Sequence, residues 1–333
     1  MNSSISDILR DAIRTISEPI DLADAHLSGG AAIGIAAAPR DGTTAGNIMY
    51  RSSLALSHAK ALGSGSYRFY EPRMGTAIEQ AEALRRQLPA AIENGDVCPF
   101  LQPIVSLKTS DIVGFEILAR WRHPTEGLIS PARFLPLVEE CGLSSRMFAK
   151  LLTRSCDIAM RWPRDLTLSV NVSPLELQDE SLPDAVEHIL ADTGMPGHRL
   201  DIEITENALI DDSAAARSIV QRLRRLGVSF ALDDFGIGMS SFAYLKYLPV
   251  DYIKIDGVFV RDMADDPMDR AIVEAINRIA HILGLKTVAE YVESASIAER
   301  LRAIGVDYAQ GYFVAKPEAL VNPPDNASVL ESA

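Results

Sequence analysis

The chain has 333 residues, of which 47% are hydrophobic and 23% charged, and its formal net charge is −13. These values are typical of a globular protein with one large domain and a smaller additional piece. The acidic excess argues against binding a polymeric nucleic acid through its phosphates. A small anionic ligand stays compatible with this charge if metal ions supply positive charge.

Cysteine usage and hydropathy indicate a cytoplasmic protein. Cys98, Cys141 and Cys156 show no CxxC spacing, which argues against a disulfide framework and a structural zinc site. The longest apolar run, "AAIGIAAA" at 31–38, is too short to span a bilayer. No basic segment followed by an apolar core marks a signal peptide, so we expect no membrane association.

The first 95 residues predict a small mixed segment. Apolar spacing predicts a helix over 5–17, and "AAIGIAAAP" reads as a buried strand. "AGNIMYRSSLALSHAKALG" predicts a second helix ending at Gly63, "YRFY" a short strand, and 74–95 an amphipathic helix. We therefore predict a separate segment over 1–75 and a connecting helix over 76–96.

From residue 97 onward, short apolar strands alternate with amphipathic helices. The predicted strands are "PFLQPIVSL", "IVGFEILARW", "LTLSVNV", "RLDIEIT", "SFALDD", "VDYIKID", "LKTVAEYV" and "YAQGYFV". This alternation predicts a parallel α/β fold, and about eight strands favour a TIM-like (β/α)8 barrel over 97–320. An open doubly wound sheet is the alternative, without a GxGxxG or P-loop fingerprint to support it. Residues 321–333 predict a flexible tail.

Polar side chains lie at the ends of almost every predicted barrel strand. They are Glu116, Asn171, Glu203, Glu206, Asp233, Asp234, Lys254, Glu290 and Gln310. Catalytic groups of such barrels gather at the carboxyl ends of the strands. Oxygen ligands without histidine or cysteine suit Mg²⁺, Mn²⁺ or Ca²⁺ rather than zinc.

Each of these residues also has an ordinary structural explanation when it is considered alone. An acidic residue after a strand often caps a helix or is solvated, Lys254 could extend along an edge, and Gln310 could be a loop amide. The adjacent pair Asp233 and Asp234 would be repulsive without a nearby positive charge. The convergence of five acidic groups on one barrel mouth therefore predicts bound cations.

Seven motifs together resemble those of EAL-domain cyclic-di-GMP phosphodiesterases. They are "EILARWRHP", "NVSP", "EITE", "ALDDFGIGMSSF", "DYIKIDG", "AEYVE" and "QGYF", in matching order and spacing over about residues 80–318. The resemblance implies a TIM-like barrel, a two-metal site for Mg²⁺ or Mn²⁺, and hydrolysis of cyclic-di-GMP to linear pGpG. It also implies a homodimer formed through the barrel.

The resemblance assigns a role to each matching residue. Metal ligands are implied at Glu116, Asn171, Glu203, Asp233, Asp234 and Glu290. Lys254 falls on the position that orients and helps to activate the attacking water, so the implied catalytic residues are Lys254, Glu116, Asp233 and Asp234. Arg120 falls on a substrate-phosphate contact, Gln310 on a further active-site position, and Glu206 on a position that supports the loop after Asp234.

The sequence departs from the family pattern at several positions. The signature Glu-Ala-Leu reads Glu116-Ile117-Leu118, and Ile237 and Met239 stand where Thr and Tyr are usual. Tyr291 replaces a usual glycine, while Gly257 stands where a larger residue is common. These departures bear on loop behaviour and turnover more than on metal binding.

The first 75 residues resemble the C-terminal half of a GGDEF diguanylate cyclase domain, through "AAIGIAAAPRDG" and "SLALSHAKALGSGSYRFYEPRM". The GGDEF motif is missing, so we expect no cyclase activity from this partial, degenerate segment. Two alternatives to a phosphodiesterase stay open at this point: a catalytically silent cyclic-di-GMP receptor and a different metal-dependent barrel enzyme. The retained acidic ligands and Lys254 favour the phosphodiesterase.

Overall fold

The structure, a computed structural model, describes residues 2–17, 20–22, 25–27, 30–162, 165–205, 214–236 and 250–319. The chain divides into two compact units, residues 1–87 and 88–333. No helix in these described ranges combines the length and apolar character needed to cross a membrane.

The first unit is a small mixed α/β segment. Its helices are α1 (Asn2–Ile16), α2 (Ala45–Ala61) and the first part of α3 (Pro72–Asn94). Its strands are β1 (Ile20–Leu22), β2 (Ala25–Leu27), β3 (Ile33–Ile35) and β4 (Tyr67–Phe69). The strands β1 and β2 pair antiparallel, and β3 pairs parallel with β4.

Helix α2 packs closely on strand β3 in this unit. The hydroxyl of Thr44 accepts a hydrogen bond from the backbone N–H of Asn47 and caps the start of the helix. A Cβ atom at Gly34 would lie 2.1 Å from the backbone nitrogen of Leu56 and 2.2 Å from the backbone oxygen of Ser52. The glycine therefore permits the close approach of helix and strand. The GGDEF resemblance of this segment stays a prediction.

The second unit contains a closed eight-stranded barrel with a short additional strand. Its strands are β5 (Val97–Ser106), β6 (Ile112–His123), β7 (Gly127–Ile129), β8 (Thr167–Val172), β9 (Leu200–Thr205), β10 (Ser229–Phe235), β11 (Tyr252–Ile255), β12 (Lys286–Ala289) and β13 (Tyr308–Ala309). The hydrogen-bonded order is β5-β13-β12-β11-β10-β9-β8-β6, and pairing of β5 with β6 closes the barrel. The predicted TIM-like fold is confirmed.

One strand corrects the prediction of a wholly parallel sheet. Strand β5 runs antiparallel to both β6 and β13, whereas the other barrel neighbours pair parallel. A short turn joins β5 directly to β6, without the helix that a parallel crossover needs. Strand β7 extends the far end of β6 as a second antiparallel hairpin.

Amphipathic helices follow the barrel strands. They are α4 (Pro131–Glu140), α5 (Ser144–Ala159), α6 (Leu182–Thr193), α7 (Ala214–Arg225), α8 (Gly257–Val260), α9 (Pro267–Ile282) and α10 (Ala295–Ile304). In α5 the buried residues Phe148, Leu151, Leu152, Ser155 and Cys156 recur at helical spacing and form one stripe. The predicted tail over 321–333 lies outside the described residues.

Candidate active site

Lys254 lies at the centre of the site, inside the barrel on strand β11. The residue is only 1% exposed. Its Nζ atom lies 2.7 Å from a carboxylate oxygen of Glu203, 2.8 Å from Glu290 and 3.0 Å from Asp233. A carboxylate oxygen of Glu116 is 3.9 Å away. One ammonium group therefore faces four carboxyl groups, and ionisation of all four would leave three negative charges uncompensated.

The parallel register brings these carboxylates together from successive strands. Asn171 of β8 pairs with Glu203 of β9, and Asp233 of β10 pairs with Thr205 at the end of β9. Lys254 lies on the next strand, opposite Val288 of β12. Because paired residues of neighbouring strands point to the same side of a sheet, the barrel closure directs these side chains into one mouth.

Glu116 occupies a different place on its strand from the one expected. It lies in the middle of β6 rather than at the carboxyl end, because β6 continues to His123 and forms the hairpin with β7. Its register partner is Ser169 on β8. The side chain still reaches the site, so the correction concerns the strand boundary.

Two side-chain amides hold the carboxylate of Glu116. The Nδ2 group of Asn171 donates to its Oε1 at 2.8 Å, and the Nε2 group of Gln310 donates to its Oε2 at 2.5 Å. Gln310 also donates to Oε1 of Gln102 at 3.1 Å. Gln102, which we did not predict as a site residue, lies on β5 opposite Glu116. These amides fix the orientation of Glu116 through two hydrogen bonds from uncharged donors.

A local irregularity in β10 lets two adjacent aspartates serve the same site. In a regular strand, successive side chains point to opposite faces. The pairing of β10 with β11 is irregular between Leu232 and Phe235, and Asp234 has a left-handed backbone with φ 53°. Oxygen atoms of Asp233, Asp234 and Glu290 consequently lie within 4.8 Å of one another.

Burial and crowding shift the protonation equilibria of the cluster. Burial raises the pKa of Glu290 to about 8, with Asp233 and Glu116 adding to the effect and Lys254 opposing it. Burial also raises the pKa of Glu203 well above its ordinary value. Burial lowers the pKa of Lys254, but the surrounding carboxylates outweigh it and raise the pKa well above the usual range. The lysine therefore keeps its proton.

Asp234 is the most solvent-exposed acid of this group, and a residue absent from our prediction lies beside it. Burial, followed by the charge of Asp233, raises the pKa of Asp234 to about 6, and Asp256 contributes. Asp256 also accepts a hydrogen bond from the backbone N–H of Val258 at 2.6 Å and caps α8. Asp256 lies two residues after Lys254, and residues two apart in an extended chain point to the same side. This spacing is the sequence signal that could have identified Asp256.

The acidic cluster opens into a pocket of about 300 Å³. Arg120, the predicted phosphate contact, lines this pocket together with Asp233, Asp234 and Gln310. Burial lowers the pKa of Arg120. The pocket is also lined by residues that we did not predict as site residues: Gln102, Leu118, Pro131, Tyr291, Glu293, Gly311, Tyr312 and Pro317.

Two oxygen atoms of the site are buried without a hydrogen bond within the described part of the chain. They are Oδ1 of Asp233 and Oε1 of Gln310. Oδ1 of Asp233 lies close to Lys254 but outside hydrogen-bond geometry. Unsatisfied buried oxygens in a charged pocket indicate a place for further donors or cations. Glu206, Ile237 and Met239 lie outside the described residues.

The chain resembles known proteins across most of its length. It is 35% identical over 309 residues to the bifunctional diguanylate cyclase/cyclic di-GMP phosphodiesterase MucR of Pseudomonas aeruginosa, covering 92% of this chain and 45% of that protein. It is 33% identical over 289 residues to the cyclic di-GMP phosphodiesterase PdeR of Escherichia coli, covering 86% and 43%. The chain thus spans less than half the length of these relatives.

Solved structures show the same barrel. The "PaMucR Phosphodiesterase, c-di-GMP complex" superposes with a TM-score of 0.67 at 35% identity, covering 72% of this chain and 97% of that one. The FimX EAL domain from Pseudomonas aeruginosa bound to c-di-GMP gives a TM-score of 0.67 at 28% identity, covering 74% and 99%. The sequence profile described as the EAL domain matches residues 85–317. The chain therefore belongs to the EAL domain family.

Proposed function

We propose that this protein is a phosphodiesterase that hydrolyses cyclic-di-GMP to linear pGpG with Mg²⁺ or Mn²⁺, and so lowers the level of a bacterial second messenger. The observation that carries the proposal is the cluster of four carboxylates around Lys254, which opens into a pocket lined by Arg120. The names of the related proteins MucR and PdeR support the same activity.

The donor set fits hard divalent cations. It offers carboxylate and amide oxygens, carries excess negative charge and includes the unsatisfied Oδ1 of Asp233. Asp233, Asp234 and Glu290 would hold metal at the pocket side, while Glu116, Asn171 and Glu203 would complete the sites. Bound divalent cations generate a nucleophile at neutral pH and neutralise charge on a phosphodiester.

Lys254 acts as a hydrogen-bond donor in this arrangement. Without bound metal, the surrounding carboxylates raise the pKa of Lys254 well above its usual range, so the ammonium group keeps its proton. Its buried ammonium holds Glu203, Asp233 and Glu290 at fixed positions and limits their mutual repulsion. The same donor can orient an attacking water that accepts a hydrogen bond from Nζ.

Arg120 binds and orients the substrate phosphate. Its guanidinium lies at the pocket wall, where Nη1 donates to the backbone oxygen of Ala119 at 2.8 Å and the group stacks 5.9 Å from the ring centre of Phe100. These contacts fix the side chain before substrate arrives. A planar guanidinium can then donate two parallel hydrogen bonds to a phosphate.

The test is incubation of the purified protein with cyclic-di-GMP and either Mg²⁺ or Mn²⁺, followed by chromatography of the nucleotides. We expect pGpG from the unaltered protein. Glu116→Ala should lower the rate at least a hundredfold, because loss of this carboxylate as a metal ligand should raise the activation free energy by roughly 3 kcal/mol. Glu139→Ala, at an exposed acid of α4, is the matched control and should retain the rate.

One result of this assay would contradict the proposed hydrolysis. If the unaltered protein binds cyclic-di-GMP but forms no pGpG with either metal, the silent-receptor alternative replaces the phosphodiesterase.

We also infer, from the family resemblance, that the protein forms a homodimer through the barrel and that Glu206 supports the loop after Asp234. Light scattering during size-exclusion chromatography tests the first point, because a monomer at micromolar concentration contradicts it.

A further inference from the structure

Tyr291 has an unusual backbone for a large residue. It follows Glu290 directly beyond the end of β12, and its φ of 51° lies in the left-handed region. This conformation costs a side chain other than glycine free energy, so the surrounding structure must impose it. Residues with such backbones cluster at functional sites.

The ring of Tyr291 packs into a space that Gly257 leaves open at the start of α8. A Cβ atom at position 257 would lie 2.2 Å from Cδ2 and 2.6 Å from Cγ of Tyr291. One turn further along the chain, Cζ of Arg261 lies 4.1 Å from the centre of the ring. The missing side chain at Gly257 and the cation of Arg261 together hold the ring in one position.

Tyr291 is 47% exposed, and it lines the pocket that contains Asp233, Asp234 and Arg120. Arg261 covers part of the ring, and Tyr291 also borders this pocket. The protein thus keeps a strained, rigid aromatic ring partly open beside a strongly polar site. Stability alone does not account for this arrangement, because burial of the ring is incomplete and its backbone is strained.

We propose that Tyr291 is a stacking platform for one purine base of the substrate and thereby a specificity-determining residue. This inference rests on the proposed function, because the phosphodiester at the acidic cluster places a base within the same pocket. Aromatic side chains stack on bases through their π faces. The cation–π contact of Arg261 holds the ring of Tyr291 in place for such stacking. The platform acts on binding of the base and leaves the chemistry at the phosphate to the acidic cluster.

The experiment separates base binding from turnover. Tyr291→Leu removes the aromatic face, Tyr291→Phe retains it, and Tyr291→Asn removes it with a residue that tolerates the left-handed backbone. Steady-state hydrolysis of cyclic-di-GMP gives KM and kcat. Calorimetric titration with cyclic-di-GMP gives the Kd of the dinucleotide, with Ca²⁺ in place of Mg²⁺ or Mn²⁺. We expect KM and Kd to rise about tenfold in the Leu and Asn variants, with kcat within about twofold, and the Phe variant to restore the low KM.

Tyr50→Leu is the matched control, because Tyr50 is an exposed tyrosine of α2 in the other unit of the chain. It should leave KM and kcat unchanged, and circular dichroism checks the folding of all variants. Unchanged KM in both the Leu and Asn variants would overturn the platform. A fall in kcat at constant KM would also overturn it, because Tyr291 would then act by positioning Glu290.

The failure of the proposed function gives a different result. If the unaltered protein binds cyclic-di-GMP without forming pGpG, the proposed hydrolysis fails and the Kd values of the Tyr291 variants alone test the platform. If the unaltered protein does not bind cyclic-di-GMP at all, the inference fails together with the function. If the unaltered protein hydrolyses cyclic-di-GMP but the Tyr291 variants do not show the expected rise in KM and Kd, only the inference about Tyr291 is wrong.

Discussion

Both ends of the barrel bury acidic groups, but the charged groups that surround these acids differ between the two ends. At the carboxyl end, four carboxylates surround the ammonium of Lys254. Toward the other end, Asp201 is 6% exposed, and no buried cation lies beside it among the residues that the structure describes. A cavity of about 120 Å³ between them is lined by Asp201, Glu203 and Lys254.

The chemical consequences differ accordingly. Burial raises the pKa of Asp201 to about 6, although hydrogen bonds from Thr167 and Ser229 oppose the shift. Its Oδ1 has no hydrogen-bond partner within the described residues. Lys286 lies near this end but is exposed, and its Nζ donates to the hydroxyl of Tyr308 at 3.0 Å. A cavity of this size in a polar setting can hold a few water molecules.

The comparison shows that burial alone does not make a reactive site. Desolvation acts on acids at both ends. Within the described part of the chain, only the carboxyl end combines several carboxylates, a buried cation and an open pocket. This matches the general division of TIM-like barrels, in which the carboxyl end carries chemistry and the opposite end carries stability.

The largest expected effect concerns Lys254. Lys254→Met should destabilise the metal-free protein by about 3–5 kcal/mol, because removing one partner of a buried ionic group leaves unpaired charges. Urea unfolding in EDTA measures the change. Magnesium should restore part of the stability but not the hydrolysis rate. Lys286→Met is the control at the other end, where an exposed lysine should contribute about 1 kcal/mol or less. Equal losses for the two variants would contradict the comparison.

An intermediate effect concerns Asp201. The folded state holds the Asp201 proton more tightly than the unfolded chain does, so this contribution to stability is complete below about pH 4 and is lost as pH rises through about 6. The stability of the unaltered protein relative to Asp201→Asn should fall by about 2 kcal/mol between about pH 4.5 and pH 7.5. Denaturant unfolding at the two pH values tests this. A pH-independent difference would contradict the raised pKa of Asp201.

The smallest expected effect concerns metal binding at the carboxyl end. Protons on Glu290 and Asp234, with pKa values of about 8 and about 6, compete with cations. Magnesium at tenfold its Kd should stabilise the protein by about 1.4 kcal/mol, with a stronger affinity at pH 8 than at pH 6. Calorimetry in buffers of different ionisation enthalpy should detect proton release. Asp201→Asn is the control and should leave the affinity for magnesium unchanged. An equal affinity of the unaltered protein for magnesium at pH 6 and pH 8 would contradict competition between protons and cations.

Much of this arrangement was predictable from the sequence, because it depends on local patterns. Strand–helix alternation predicted the barrel, and the polar residues at strand ends predicted that Glu203, Asp233, Lys254 and Glu290 meet. Period-two alternation and parallel pairing carry that information within short stretches of chain. The roles of those residues in catalysis stay predictions.

Only the tertiary structure decided the features that depend on contacts between distant segments. The antiparallel direction of β5 results from its direct turn into β6 and from closure against β13. The left-handed backbone of Asp234 directs a neighbouring carboxylate into the same site. Tyr291 fits because Gly257, 34 positions earlier in the sequence, leaves room for its ring. Steric complementarity between such segments depends on how the elements pack, and no local sequence pattern encodes it.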